Sequence, residues 1–217
     1  MIWRACYYII RFLLYCMAVP LFRFTAEGTG NIPATGPIIL ASNHASNLDP
    51  LFIGVAAPRF IHYLAKKELF SNPVFEFVLR KICGALPVDR DQMDRSTLRE
   101  VFALLDRRET LLVFPEGTRT HDGSLGEAKL GVGMIAHHTR AMVIPVNIKG
   151  SYDILPRHAK RIRRAACRVS FGPAVDLADL YGQGRTKDVY RLIGGRIMEA
   201  IGKLAAASAH HQQVMRG

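Results

Sequence analysis

Beyond residue 25 the sequence alternates short apolar runs with segments that carry one apolar stripe. This alternation constrains the fold more than any other feature. Residues 37–42, Pro-Ile-Ile-Leu-Ala-Ser, read as a buried strand that runs into a polar loop. Asp49 and Pro50 then open a short helix to about residue 57, since Asp is a favoured N-cap and Pro suits the first helical position. Residues 60–65, 85–88, 110–114 and 141–148 read as further strands, and 169–171 as an edge strand. Helices are expected over 73–83, over 94–107, where Leu98, Val101, Phe102 and Leu105 share a face, and over 130–139. A C-terminal amphipathic helix over 188–205 aligns Val189, Leu192, Ile193, Ile197, Ile201 and Leu204. Residues 208–217 read as a disordered tail. Strands alternating with helices argue for one α/β domain, 27–207, and 217 residues suffice for one sizeable core.

Residues 1–26 stand outside that alternation. Up to residue 24 the only charges are Arg4, Arg11 and Arg23, and the longest charge-free run, 12–22, contains Pro20. A spanning helix wants roughly 20 consecutive apolar residues. Apolar bulk with aromatics, arginines and no acid fits an interfacial helix or half-inserted anchor better. An uncleaved signal-anchor is the competing reading, and a cleaved signal peptide lacks a clean small-x-small site.

Charge sharpens the point. Lys and Arg number 29 against 18 Asp and Glu, a net charge of +11, while the mean hydropathy is +0.11. A basic chain calls for an anionic partner. Nucleic-acid binders pair basicity with a polar surface, so basic and apolar together tilt toward lipid. Arg157, Lys160, Arg161, Arg163, Arg164 and Arg168 form a run without an acid. It reads as a patch for anionic headgroups, or else as a solvated loop or RNA-binding arm. Cys6, Cys16, Cys83 and Cys167 make no CxxC pair. They are expected to be reduced and mostly buried, without a structural zinc.

Four segments at strand ends carry the candidate chemistry. In Asn43-His44-Ala45-Ser46-Asn47-Leu48-Asp49 an imidazole follows the first buried strand, where open α/β sheets put their ligands. Asp49, five residues on, can hold one ring nitrogen and leave the other as a general base. An ordinary polar turn with Asp49 as a plain N-cap is the other reading. Phe114-Pro115-Glu116-Gly117-Thr118-Arg119 follows a second buried strand. Its glycine permits close backbone approach and its arginine offers a fork for phosphate. A surface turn with a Glu-Arg pair would look the same. Gly84-Ala85-Leu86-Pro87-Val88-Asp89-Arg90 ends in an arginine, and Lys66 and Lys67 end another strand. Val143-Ile144-Pro145-Val146 reads as core as readily as site.

Taken together and in this order, these segments resemble the glycerolipid acyltransferase family, above all its bacterial 1-acyl-sn-glycerol-3-phosphate (lysophosphatidic acid) acyltransferases. The resemblance covers about residues 27–150. NHASNLD matches the family's H-x4-D block, FPEGTR its glutamate-glycine block closely, GALPVDR well and VIPV adequately. It implies a mixed, largely parallel sheet flanked by helices, glycerol-3-phosphate acyltransferase-like, with an N-terminal membrane-docking helical segment. It also implies His44 as general base and Asp49 as its orienting partner. Lys66, Arg90, Glu116, Gly117, Thr118 and Arg119 would bind substrate, with Arg90, Arg119 and Lys66 on the acceptor's phosphate. No metal or cofactor is implied. The donor would be acyl-CoA or acyl carrier protein, the acceptor a lyso-phospholipid, and the place the cytoplasmic face of the inner membrane, among membrane lipids and away from nucleic acid. Other readings are a same-family enzyme on another lyso-lipid, such as a lyso-ornithine lipid, a thioesterase, or a non-catalytic basic membrane-binding module.

Overall fold

The structure, a computed structural model, describes residues 2–88 and 94–208 in full and the backbone of 209–214. Its strands are β1 (Thr25–Glu27), β2 (Ile38–Ser42), β3 (Ile61–Lys66), β4 (Ala85–Val88), β5 (Thr110–Val113), β6 (Met142–Lys149) and β7 (Arg168–Phe171). The helices are α1 (Ile2–Phe22), α2 (Asp49–Ala56), α3 (Pro73–Phe77), α4 (Arg95–Asp106), α5 (Leu130–Thr139), α6 (Ser151–Ile154), α7 (Ala178–Tyr181) and α8 (Lys187–Val214). One seven-stranded sheet forms in the order β1-β7-β6-β2-β5-β3-β4. All pairs run parallel except β6 with β7. The mixed, largely parallel sheet expected from the resemblance is what forms.

The central strand explains the layering. Every residue of β2 is buried, as a parallel strand covered on both faces requires. Its side chains alternate between two cores. Ile38 and Leu40 join Phe24, Phe52 and Ile53 on one face. Ile39 and Ala41 join Val101, Leu104 and Ile193 on the other. The second core is closed by α8, which buries Val189, Ile193, Ile197 and Ile201 at helical spacing. Where α5 crosses α8, a Cβ on Gly133 would lie 2.0 Å from the Tyr190 carbonyl oxygen, so only glycine fits the approach.

Four details depart from the sequence reading. The 169–171 segment is not an edge strand: β7 lies between β6 and β1. The short, half-exposed β1 takes the edge and gives no apolar signal. The C-terminal helix continues to Val214 instead of giving way to a tail at 208. Ala205, Ala206 and Ala207 favour helix, and Ser208 is buried with its hydroxyl 3.3 Å from that of Ser170. All four cysteines are free, but only Cys167 is buried. Cys6 and Cys16 lie on α1, whose outer face is exposed.

Helix α1 is docked on the domain along its length. Tyr7 and Ala18 are buried. Arg11 Nε donates to the Val55 carbonyl at 3.1 Å, Arg4 pairs with Glu109, and Phe22 packs edge-on against Phe52. Its other face leaves Ile9, Phe12, Leu13 and Met17 exposed. With 21 residues and an 18-residue window of mean hydropathy 1.7, it is long and apolar enough to cross a membrane by length and composition.

Candidate active site

Parallel strands end on one edge of the sheet, so the loops after β2, β3 and β5 meet there. This is where open α/β sheets bind ligands. The loop after β2 is pinned first. Asn43 Nδ2 donates to the Ile148 carbonyl at 3.0 Å, and Oδ1 accepts from Ile148 N at 2.8 Å. The side chain thus pairs with β6 like an added strand residue, and the next residue, His44, emerges at the edge.

Asp49 sets the imidazole. One carboxylate oxygen, Oδ2, accepts from Ala45 N at 2.7 Å and Ser46 N at 2.8 Å, and lies 2.8 Å from His44 Nδ1. Asp49 is fully buried and the His44 side chain is 17% exposed. An acceptor already holding two N–H groups requires a donor at Nδ1, which leaves the Nε2 lone pair as the basic site. Besides the hold on one ring nitrogen, the sequence reading gave Asp49 the N-cap of α2. Instead Leu48 holds that position without a side-chain cap, and the Asp49 carboxylate turns back on its own loop. The Phe114 ring stacks on His44 with centroids 3.9 Å apart and planes 16° apart, fixing the ring's tilt.

The EGTR loop is tied to the same histidine. Glu116 is buried. Its Oε1 accepts from His44 N at 3.2 Å and its Oε2 from Gly126 N at 3.0 Å. Thr120 N donates to the His44 carbonyl at 2.8 Å. Glu116 therefore joins the loops after β2 and β5 through their backbones. Gly117 has φ +67°, and its missing side chain leaves room for Lys129, whose Cδ would sit 2.8 Å from a Cβ. Thr118 is exposed.

The cations are placed less tightly together. Lys66 is the last residue of β3, in register with Val88 at the end of β4. Arg90 lies outside the described residues. Arg119 Nη1 donates to the Arg157 carbonyl at 3.4 Å, and Arg157 Nη1 returns a bond to the Arg119 carbonyl at 3.1 Å. Arg157 Nη1 also lies 3.0 Å from His121 Nε2. The basic run is thus not one surface. Arg157 turns to the EGTR loop, Arg168 pairs with Glu27 at 3.3 Å, and Lys160, Arg161, Arg163 and Arg164 remain exposed.

Sequence reasoning missed Asn43, Phe114 and Arg157 as site-builders. Asn43 adjoins His44 and Phe114 adjoins the EGTR loop, so proximity in sequence is the signal that marks them. Arg157 had none, since its neighbours in the basic run point elsewhere.

Comparison with known proteins gives a consistent set of likenesses. A family model described as Acyltransferase matches residues 23–149. The 1-acyl-sn-glycerol-3-phosphate acyltransferase of Bacillus subtilis is 31% identical over 179 residues, 80% of this chain and 86% of that one. A chloroplastic enzyme of the same name from Arabidopsis thaliana is 29% identical over 148 residues, which span 66% of this chain and 40% of the relative. The crystal structure of the 1-acyl-sn-glycerophosphate acyltransferase PlsC from Thermotoga maritima aligns with a TM-score of 0.68 at 28% identity, covering 84% of this chain and 72% of that one.

Proposed function

The chain belongs to the acyltransferase family, and from that premise we propose that it acylates the sn-2 hydroxyl of 1-acyl-glycerol-3-phosphate from an acyl thioester, forming phosphatidic acid. The observation that carries this reading is the His44–Asp49 pair, bonded at 2.8 Å at the strand edge and clamped by Glu116 to the EGTR loop. The relatives of known activity bear the name of that reaction.

In the proposed mechanism His44 Nε2 takes the proton of the acceptor hydroxyl as its oxygen attacks the thioester carbonyl. Asp49 stabilises the imidazolium that forms, as in the hydrolase dyad. The substrate's own hydroxyl replaces an enzyme serine, so no acyl-enzyme intervenes. When the tetrahedral intermediate collapses, the C–S bond breaks and the thiolate receives the proton from His44. A positioned base contributes roughly 10²–10⁴ in rate. Lys66, Arg90 and Arg119 bind the acceptor's phosphate, and Gly117 and Thr118 present backbone and hydroxyl beside it. The donor is acyl-CoA or acyl carrier protein, and no resident cofactor takes part. The chain docks through α1 on the cytoplasmic face of the inner membrane, where acceptor and product both reside.

The test uses the full chain in detergent with acyl-CoA or acyl carrier protein and a panel of lyso-lipids. Acylated lysophosphatidic acid is expected from the wild type and none above background from His44→Ala. No transfer to any lyso-lipid, with the two proteins alike, would overturn the enzyme reading. Transfer to a lyso-ornithine lipid alone would move the acceptor, and release of free fatty acid alone would make the enzyme a thioesterase.

A further inference from the structure

The connection between β3 and β4 exposes more apolar surface than a soluble loop of its length needs. Val74 is 72% exposed and Phe75 63%, and Leu69, Phe77 and Val78 are exposed too. Isolated exposed apolar residues are ordinary, but a contiguous group marks an interaction surface. The segment is built to present them. Asn72 caps α3 by accepting from Val74 N at 2.9 Å and Phe75 N at 3.3 Å, which holds both residues on the first turn. A single π-helical turn, Val78–Ile82, then leads back toward β4.

Two further observations say what covers this surface. The first is continuity with α1: Trp3 packs edge-on against Phe77, with centroids 5.0 Å apart. The exposed apolar face of α1 therefore runs on into α3. The second is charge. Lys67 and Lys81 are exposed beside the apolar group, Arg80 pairs there with Glu76 at 2.9 Å, and over 66–82 four basic residues outweigh Glu68 and Glu76. An apolar surface with aromatics and a basic rim suits the headgroup boundary of an anionic leaflet.

We propose that α3 and its flanking turns are a second membrane-inserting element, contiguous with α1, that seats the chain on an anionic bilayer at two points. A single interfacial helix leaves the domain free to roll about the helix axis. A second foothold removes that freedom. Because α3 departs just after Lys66, at the edge of the sheet that carries His44, the foothold holds that edge against the headgroups. The proposal rests on the docking of α1 given above, and its test needs no substrate, so it can fail while the reaction stands.

Trp3 is the single tryptophan of the chain, which permits a local probe. In the full chain carrying W3F and F75W, tryptophan emission is read on adding phosphatidylethanolamine–phosphatidylglycerol vesicles with and without brominated acyl chains. A blue shift and quenching by the bromines are expected. In a second experiment V74E/F75E, at exposed positions that the core does not use, is expected to lower partitioning at limiting lipid by about tenfold or more. Emission that the brominated lipid leaves unquenched would overturn the proposal. So would a shift that follows protein concentration without lipid, which would make a second copy of the chain the occupant, or wild-type partitioning by V74E/F75E.

Discussion

At the scale of single residues, the site is a chain of dependence that starts at Asp49. One buried oxygen holds Ala45 N, Ser46 N and His44 Nδ1, so the carboxylate shapes the loop as well as the tautomer. Asp49→Asn separates this geometry from the charge. An amide oxygen in the place of Oδ2 still accepts all three N–H groups, so the loop and the tautomer persist, but the negative charge that stabilises the imidazolium is gone. Turnover is expected to fall by roughly 10²–10⁴ while the acceptor KM and the melting temperature change little; unchanged turnover would take Asp49 out of the dyad. A second histidine acts on stability instead. Burial pushes the His62 imidazole below its ordinary 6.5, against the Gly84 carbonyl at 2.9 Å and the Glu109 charge, which favour the charged form. A depressed histidine binds its proton more readily in the unfolded chain, so its contribution is present above pH 6.5 and lost as pH falls below it. His62→Gln, which keeps a donor for Gly84, is expected to flatten the fall of Tm between about pH 6.5 and pH 5. A variant whose Tm falls as steeply as that of the wild type would assign the acid limb to other groups.

At the scale of elements, what was legible in the sequence follows burial. β2 and β5 are buried throughout and apolar but for Ser42 and Thr110, and were plain, because a strand covered on both faces needs no alternation. α8 was legible from Val189, Ile193, Ile197 and Ile201, but its continuation past 205 was not, since the contact described there, Ser208 with Ser170, spans 38 residues of sequence. β1 was missed because it is three residues long and joins the sheet chiefly by backbone pairing with β7, which leaves no mark on side chains. In the site, the His44–Asp49 contact was legible since five residues separate the partners, whereas the Arg119–Arg157 exchange joins two loops 38 residues apart. The α5–α8 crossing offers a test of an element contact that composition hides. Gly133→Ala would drive a Cβ to 2.0 Å from a carbonyl oxygen of α8. Such overpacking costs about 1–3 kcal/mol, and for a chain of this size each kcal/mol lowers Tm by about 2–4 °C. Thermal unfolding by circular dichroism reads it directly. A melting temperature equal to that of the wild type would mean that the two helices have room to part.

At the scale of the whole molecule, the basic and apolar characters of the chain resolve into one surface organised around α1. Near its N-terminus α1 meets α3 through Trp3 and Phe77. Toward its C-terminus, Leu14, Met17, Leu21 and Phe22 line a groove with Leu51 and Phe52 of α2, and Ile162, Arg163 and Arg164 close its rim. Part of the exposed basic run therefore borders this apolar groove, while several cations elsewhere are held by partners. Arg157 is turned to the EGTR loop, Arg168 is paired with Glu27, and Arg196 is paired with Asp179 and so holds its proton more firmly than a free guanidinium. This division predicts a specific lipid dependence. Neutralising Lys160, Arg161, Arg163 and Arg164 together to Gln removes four charges at the rim without touching the core or the dyad. Near an anionic surface each is worth about 1 kcal/mol, so partitioning to phosphatidylglycerol-containing vesicles is expected to fall about a hundred- to thousandfold at low salt. On phosphatidylcholine vesicles, which carry no net charge, the variant and the wild type should bind alike through α1. Raising the salt should bring the wild type down toward the variant, because exposed charges are screened within about 10 Å at 0.1 M. Vesicle flotation at limiting lipid measures all three. An equal loss on neutral vesicles would mean that the four side chains act through packing around Ile162, and no loss on anionic ones would leave docking to the apolar face alone.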